Sequence, residues 1–202
     1  MNVIFAMLNL NDVVNIIKKR YIRFMKNEKE YIKVKAKTWF LEFHGVLPRA
    51  ENHTQYEHWK HPDIEEYLKL YHAVGDLWGW TGRLLLSEKE LSEKLHSDLT
   101  EIWLFKINEK VLGFFEIDFS IPDKAEIVYL GLIPSEIGKG LGKSLLYAAI
   151  ASAGRNGAQV WLHTCEFDHP NALNSYIQSG FKISNEAIEF EYYPIGFQVD
   201  KG

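Results

Sequence analysis

The stretch from Lys124 to Lys143, KAEIVYLGLIPSEIGKGLGK, constrains this chain more than any other. Ile127 to Ile133 is an apolar run of strand length. Pro134 ends it, and Gly138, Gly140 and Gly142 follow at alternate positions. An amphipathic helix then opens with Lys143-Ser-Leu-Leu-Tyr-Ala-Ala-Ile. Strand, glycine turn and helix N-terminus, in that order, suit an anion. Glycines let the backbone approach, and the free N–H groups of the first helical turn carry the positive end of the helix dipole. The segment therefore predicts a site for a phosphorylated ligand.

Two phosphate loops compete for it. Gly142-Lys143-Ser144 spells the end of a nucleotide P-loop, but that loop needs a further glycine five residues before Gly142. Ile137 stands there. Residues 137–142, IGKGLG, instead resemble the acyl-CoA loop of the GCN5-related N-acetyltransferase (GNAT) superfamily, Gln/Arg-x-x-Gly-x-Gly/Ala. Both glycine positions match, and Ile137 replaces the usual Gln or Arg.

The C-terminal third carries a second likeness. Val160 to Cys165 is an apolar run, followed by Asp168 or Asn171 as a helix cap and Pro170 in the first turn. The helix bears Ala172, Leu173, Tyr176 and Ile177 and stops at Gly180. Ala172, Tyr176, Gly180 and Phe181 fall on the Ala-x-x-x-Tyr-x-x-x-Gly-Phe pattern of the C-terminal GNAT half. A narrower similarity joins Tyr67 to Arg83, Phe115 to Asp118, Tyr129 to Leu132 and Asp168 to Pro170. It resembles a bacterial GNAT subgroup with the tail Asp-His-Pro-x-Ala-Leu-x-x-Tyr-x-x-x-Gly-Phe, in which an apolar residue at position 137 is ordinary. The fold this implies is mixed α/β: a central, mostly antiparallel sheet of six to seven strands, a splayed strand pair and flanking helices.

The pattern along the chain fits that expectation. Ile32 to Phe43 reads as a strand, and residues 44–62 as a polar loop holding His53, His58 and His61. No Cys or carboxylate completes a ligand set with these histidines, so no metal is expected. Asp63 to Ala73 reads as a helix. Ser87 to Glu90 is a capping box opening another. Glu101 to Ile107 and Val111 to Phe119 read as strands joined at Asn108-Glu-Lys110. Phe181 to Ser184 and Ala187 to Tyr193 read as a closing hairpin. Residues 1–30 are taken as an extension with a helical pattern over 11–26, and residues 31–202 as the acetyltransferase domain.

With 202 residues, 47% of them hydrophobic, the chain can bury a sizeable core. Its net charge of −4 and lack of a basic block argue against nucleic acid. No apolar run approaches the ~18–20 residues of a membrane span. The single cysteine, Cys165, excludes an internal disulfide and suits a reducing, cytoplasmic setting. A homodimer is open.

The resemblance implies acetyl transfer from acetyl-CoA to a primary amine of a small molecule or peptide. A non-catalytic acyl-CoA-binding or regulatory module on the same fold is the alternative. On the family pattern the main chain of Leu130, Leu132 and Ile133 would pair with the pantetheine arm. Gly138, Lys139, Gly140, Leu141, Gly142 and Lys143 would hold the pyrophosphate, and Asn171 would reach the arm. Tyr176 matches the family residue that protonates the leaving sulfur. An alkyl amine has a pKa near 10.4 and needs a base. Glu126, at the start of the strand before the loop, Glu116, on the preceding strand, and a water relay from the backbone are the candidates. Tyr67, Tyr71, Trp78, Trp80, Tyr129 and Tyr192 are candidate walls for a cationic acceptor.

Overall fold

The computed structural model describes residues 31–48 and 55–197. The helix expected over 11–26, and His53, lie outside the described residues. In chain order the elements are β1 (Tyr31–Phe43), β2 (Tyr56–His58), α1 (Ile64–Gly75), α2 (Glu88–Leu95), β3 (Thr100–Ile107), β4 (Lys110–Asp118) and β5 (Lys124–Leu132). They continue as α3 (Leu141–Gly154), β6 (Gln159–Cys165), α4 (Ala172–Gln178) and β7 (Phe181–Pro194).

Local chemistry sets most boundaries. The Asp63 side chain accepts a hydrogen bond from the Glu66 N–H and caps α1. Ser87 and Glu90 form both halves of the expected capping box at α2. Asn108 and Glu109 have φ of 49° and 62°. Two consecutive left-handed residues give the tight turn that joins β3 to β4. The loop expected over 44–62 does contain a short strand, β2, which adds to the edge of the sheet beside β3.

The seven strands form one sheet in the order β2-β3-β4-β5-β6-β1-β7, and only β5 and β6 are parallel. Successive side chains point to opposite faces, and β4 shows the result. Phe114 packs with Tyr67, Tyr71 and Val74 of α1 and with Leu91 and Leu95 of α2. Phe115 packs on the other face with Leu145, Leu146 and Ile150 of α3. A Cβ at Gly113 would run into the Gly131 carbonyl of β5, so a side chain there would force the backbone to shift.

Two irregularities create the space for a site. Glu116 pairs with Tyr129, but Ile117 pairs with Ile127, so Val128 is an extra residue in β5. Such a bulge bends its strand and sharpens the twist. Then β5 and β6 pair only over Lys124–Glu126 and Gln159–Trp161. Beyond that point β5 stays with β4 while β6 stays with β1, and the sheet opens into a V.

The closing hairpin expected from Phe181 to Tyr193 is not formed. Phe181–Pro194 is one 14-residue strand. Its partner is β1, from the other end of the described chain, along the whole of that strand. Asn185-Glu186, the turn of that expected hairpin, stays in the strand opposite Phe40 and Trp39; Phe40 faces Asn185 and Leu41 faces Ile183, so a bulge beside it leaves Ser184 extra. Its hydroxyl donates to the Phe40 carbonyl at 3.1 Å. Neither Asn185 nor Glu186 has the positive φ a two-residue hairpin turn requires.

Candidate active site

A cavity of about 600 Å³ fills the V. At one end stands the N-terminus of the 14-residue helix α3. Gly138 and Gly140 have φ of +83° and +80°, and a Cβ at 138, 140 or 142 would meet nothing within 4 Å. Among the described residues no side chain caps α3, and its first turn holds no acidic residue. Its first N–H groups therefore face the cavity mouth, behind an open cradle three glycines wide. That is the arrangement a diphosphate needs.

The walls are β5 on one side and β6, α4 and β7 on the other. Leu130, Leu132, Gly138, Gly140, Gly142, Lys143, Asn171 and Tyr176 all line the cavity. Ile133, Lys139 and Leu141 do not. Ile133 packs into the core beneath α1, and Leu141 into the core around α3. Lys139 donates to Glu136 at 2.9 Å. Together with Lys110 it holds that carboxyl down to about 2. The P-loop reading also loses its hydroxyl ligand, because Ser144 is hydrogen-bonded to the Tyr56 hydroxyl at 2.9 Å.

The two expected bases are placed apart. Glu116 is fully buried and does not line the cavity. It accepts from the Tyr67 hydroxyl at 2.7 Å and from the Arg83 guanidinium. Glu126 is also buried, and its Oε1 lies 3.1 Å from His163 Nδ1. It is His163 that reaches the cavity. Burial opposes the imidazolium, but the hydrogen bond and charge of Glu126, with the charges of Glu191 and Asp168, outweigh this and hold His163 up to about 9. His163 thus lines the cavity although its strand, Val160 to Cys165, is otherwise mostly apolar.

At the far end Trp78, Trp80, Tyr71, Tyr129 and Tyr193 form aromatic walls, whereas Tyr67 and Tyr192 stay outside. The segment after α1 is fastened to β7. Thr81 Oγ1 donates to the Tyr192 carbonyl at 2.5 Å, and the Gly79 position lies against Tyr193 and Phe197. Asp168 does not cap α4. Its carboxylate accepts from Thr164 Oγ1 at 2.6 Å and from the Cys165 N–H at 3.0 Å. Cys165 lines the cavity too, but burial and the Asp168 charge push its thiol up to about 12, so it is not a thiolate nucleophile at neutral pH. Glu191, which no sequence pattern singled out, also faces this space.

Comparison with known proteins follows the same outline. The model of the acetyltransferase (GNAT) family matches residues 59–181. A mycothiol acetyltransferase from Corynebacterium glutamicum (strain R) is 26% identical over 113 residues, which are 56% of this chain and 38% of that protein. The chain thus spans about two fifths of that relative's length. A GNAT-family protein from Novosphingobium aromaticivorans superposes with a TM-score of 0.59 at 16% identity, covering 81% of this chain and 66% of the other. The ribosomal-protein-S18-alanine N-acetyltransferase of Escherichia coli gives a TM-score of 0.53 at 17% identity, covering 72% and 96%. The two structural likenesses concern the fold alone, whereas the family match spans more than half the sequence and contains the glycine cradle, the V and Tyr176: the chain belongs to the GNAT acetyltransferase family.

Proposed function

We propose that this protein transfers the acetyl group of acetyl-CoA to a primary amine of a small molecule or peptide. One observation carries this reading: a single cavity runs from the uncapped N-terminus of α3, through the V, to an aromatic end lined by carboxylates. One end suits a diphosphate and the other an amine, and the strand edges between them suit a peptide-like arm.

Bound there, acetyl-CoA would supply an activated thioester. The chain's part is to position it, withhold water and manage protons. N–H groups between Gly138 and Lys143 would hold the diphosphate, with the Lys143 ammonium beside them. The backbone of β5 past the Val128 bulge has no β6 partner over Tyr129–Leu132. Its unpaired edge can bind the amides of the arm. Tyr176 faces the cavity from α4. Burial and the Asp168 charge raise its pKa well above that of an ordinary phenol, so it stays protonated. A thiol titrates near 8.5. Tyr176 therefore acts mainly by donating a hydrogen bond to the sulfur as negative charge develops there, and passes a proton on as the step completes.

Tyr176→Phe is expected to lower kcat by about 10²-fold while leaving CoA affinity nearly unchanged. The ring is kept, and so is its edge contact with Phe181 at 6.0 Å. Steady-state kinetics beside calorimetry with CoA measure the two effects separately. Unchanged turnover would make Tyr176 a packing residue only. The experiment that tests the function itself is acetyl-CoA with a panel of polyamines, aminoglycosides and peptides, followed by thiol release. Binding of CoA without turnover of any amine would favour the non-catalytic module.

A further inference from the structure

Two carboxylates line the cavity, Asp168 and Glu191. Asp168 is committed to Thr164 and the Cys165 N–H. Glu116 is committed to Arg83, and Glu126 to His163. Among the described residues, the Glu191 side chain has neither a hydrogen bond nor an ion pair, although it is half-buried.

Register explains why it points inward. On β7, Glu189, Glu191 and Tyr193 share a face, and Ile188, Phe190 and Tyr192 share the other. Tyr193 is buried, whereas Ile188 and Phe190 are 61% and 47% exposed. The strand is thus turned inside out relative to its hydropathy. It presents an acid to the interior and apolar side chains to solvent. Trp78, Trp80 and Tyr129 line the same cavity as Glu191; Tyr129 feels the Glu191 charge, and the Trp80 ring lies 5.0 Å from that of Tyr129.

We propose, resting on the acetyltransferase reading above, that Glu191 is the seat of the acceptor's ammonium group and the base that deprotonates it. The acceptor is accordingly an alkyl ammonium whose carbon frame lies against Trp78, Trp80 and Tyr129. A carboxylate next to its amine would face Glu191 and Asp168 and be repelled. The ammonium gives one proton to the Glu191 carboxylate. The freed lone pair forms the C–N bond to the acetyl carbonyl carbon, and the C–S bond breaks with its electrons on sulfur. The second proton that nitrogen sheds in becoming an amide reaches the sulfur through the Tyr176 hydroxyl. Glu191 then returns its proton to solvent. Ammonium and thioester become amide, thiol and one released proton.

The charged and titratable groups around Glu191 set its readiness. His163 and Cys165 face it from β6, Asp168 from the loop after β6, Tyr129 from β5, and Glu189 and Tyr193 from its own strand. Burial pushes Glu191 up to about 7, Asp168 and Glu189 push the same way, and His163 opposes them. A base of that strength is ionised above neutral pH yet basic enough to compete for an amine proton.

The test uses the full chain and whichever amine of the panel is turned over fastest. In the wild type, kcat/KM should rise with pH through an apparent pKa near 7. Glu191→Gln should lose about 10²-fold in kcat/KM at pH 7, the low end for a removed base. It should also lose the limb near 7, keep CoA affinity, and regain rate as pH approaches the amine's own pKa. Glu191→Asp should retain the limb at a shifted position, and it decides the matter if the Gln variant does not fold. A Gln variant with wild-type rate and limb, or an Asp variant with an unmoved limb, overturns the assignment while the parent reading stands. A wild type that turns over no amine overturns both.

Discussion

Arg83→Met is expected to lower the unfolding free energy by about 3–5 kcal/mol, the cost of leaving a buried charge without its partner. Arg83 is 9% exposed and Glu116 is fully buried, so neither can turn to water for compensation. Their ion pair joins α1 to β4 through Tyr67, whose hydroxyl donates to the second oxygen of Glu116 at 2.7 Å. The guanidinium lies 5.0 Å from the Tyr129 ring centroid, and the Arg83 N–H donates to the Tyr71 hydroxyl at 3.3 Å. The network therefore fixes the segment that forms the aromatic end of the cavity. For a chain of this size the melting temperature should fall by about 10 °C. Arg83→Met combined with Glu116→Gln should recover much of the loss, since no unpaired charge remains. Thermal unfolding of the three proteins measures this. Equal stability of Arg83→Met and wild type would contradict the buried pair. The same geometry assigns Glu116 to stability, so Glu116→Gln should change melting temperature more than the shape of the pH–rate profile.

Gly142→Val is expected to weaken CoA binding by at least about 10²-fold, which corresponds to losing two charge-assisted hydrogen bonds. The position is chosen for its backbone. Gly138 and Gly140 have positive φ, so a valine there would strain the chain and confuse folding with binding. Gly142 lies in the first turn of α3 without positive φ, and a side chain there meets no protein atom within 4 Å. The variant should fold as the wild type does, with the added side chain occupying the cradle. Calorimetry with CoA beside circular dichroism reads both. A folded variant with undiminished affinity would remove the phosphate site from this loop.

Much of the fold was legible because its signals are local. The capping box at Ser87, the turn at Asn108-Glu109 and the helix stop at Gly180 each depend on a few adjacent residues. The glycine cradle was legible for the same reason. What sequence could not show depends on which strand lies beside which. Nothing in the string Phe181 to Tyr193 says that its partner is Tyr31–Phe43, so from sequence Asn185-Glu186 reads as a turn. That error hid Glu191. With apolar residues at 188 and 190, alternation assigns the glutamates of this strand to solvent, and only the β1 pairing reverses this. Glu126 and Glu116 were found as carboxylates on the right strands. Their partners, His163 and Arg83, are 37 and 33 residues away and could be supplied only by the folded sheet.

The central claim is that one cavity joins an acyl-CoA cradle to an amine seat. It is tested most directly by incubating the full chain with acetyl-CoA and the amine panel, then following free thiol and the mass of the amine together. The thiol of Cys165 is held protonated and should add little background. The expected result is thiol release that depends on both protein and amine, with an equal amount of N-acetylated product. Saturable CoA binding with no amine-dependent thiol and no acetylated product, across the whole panel, would contradict it.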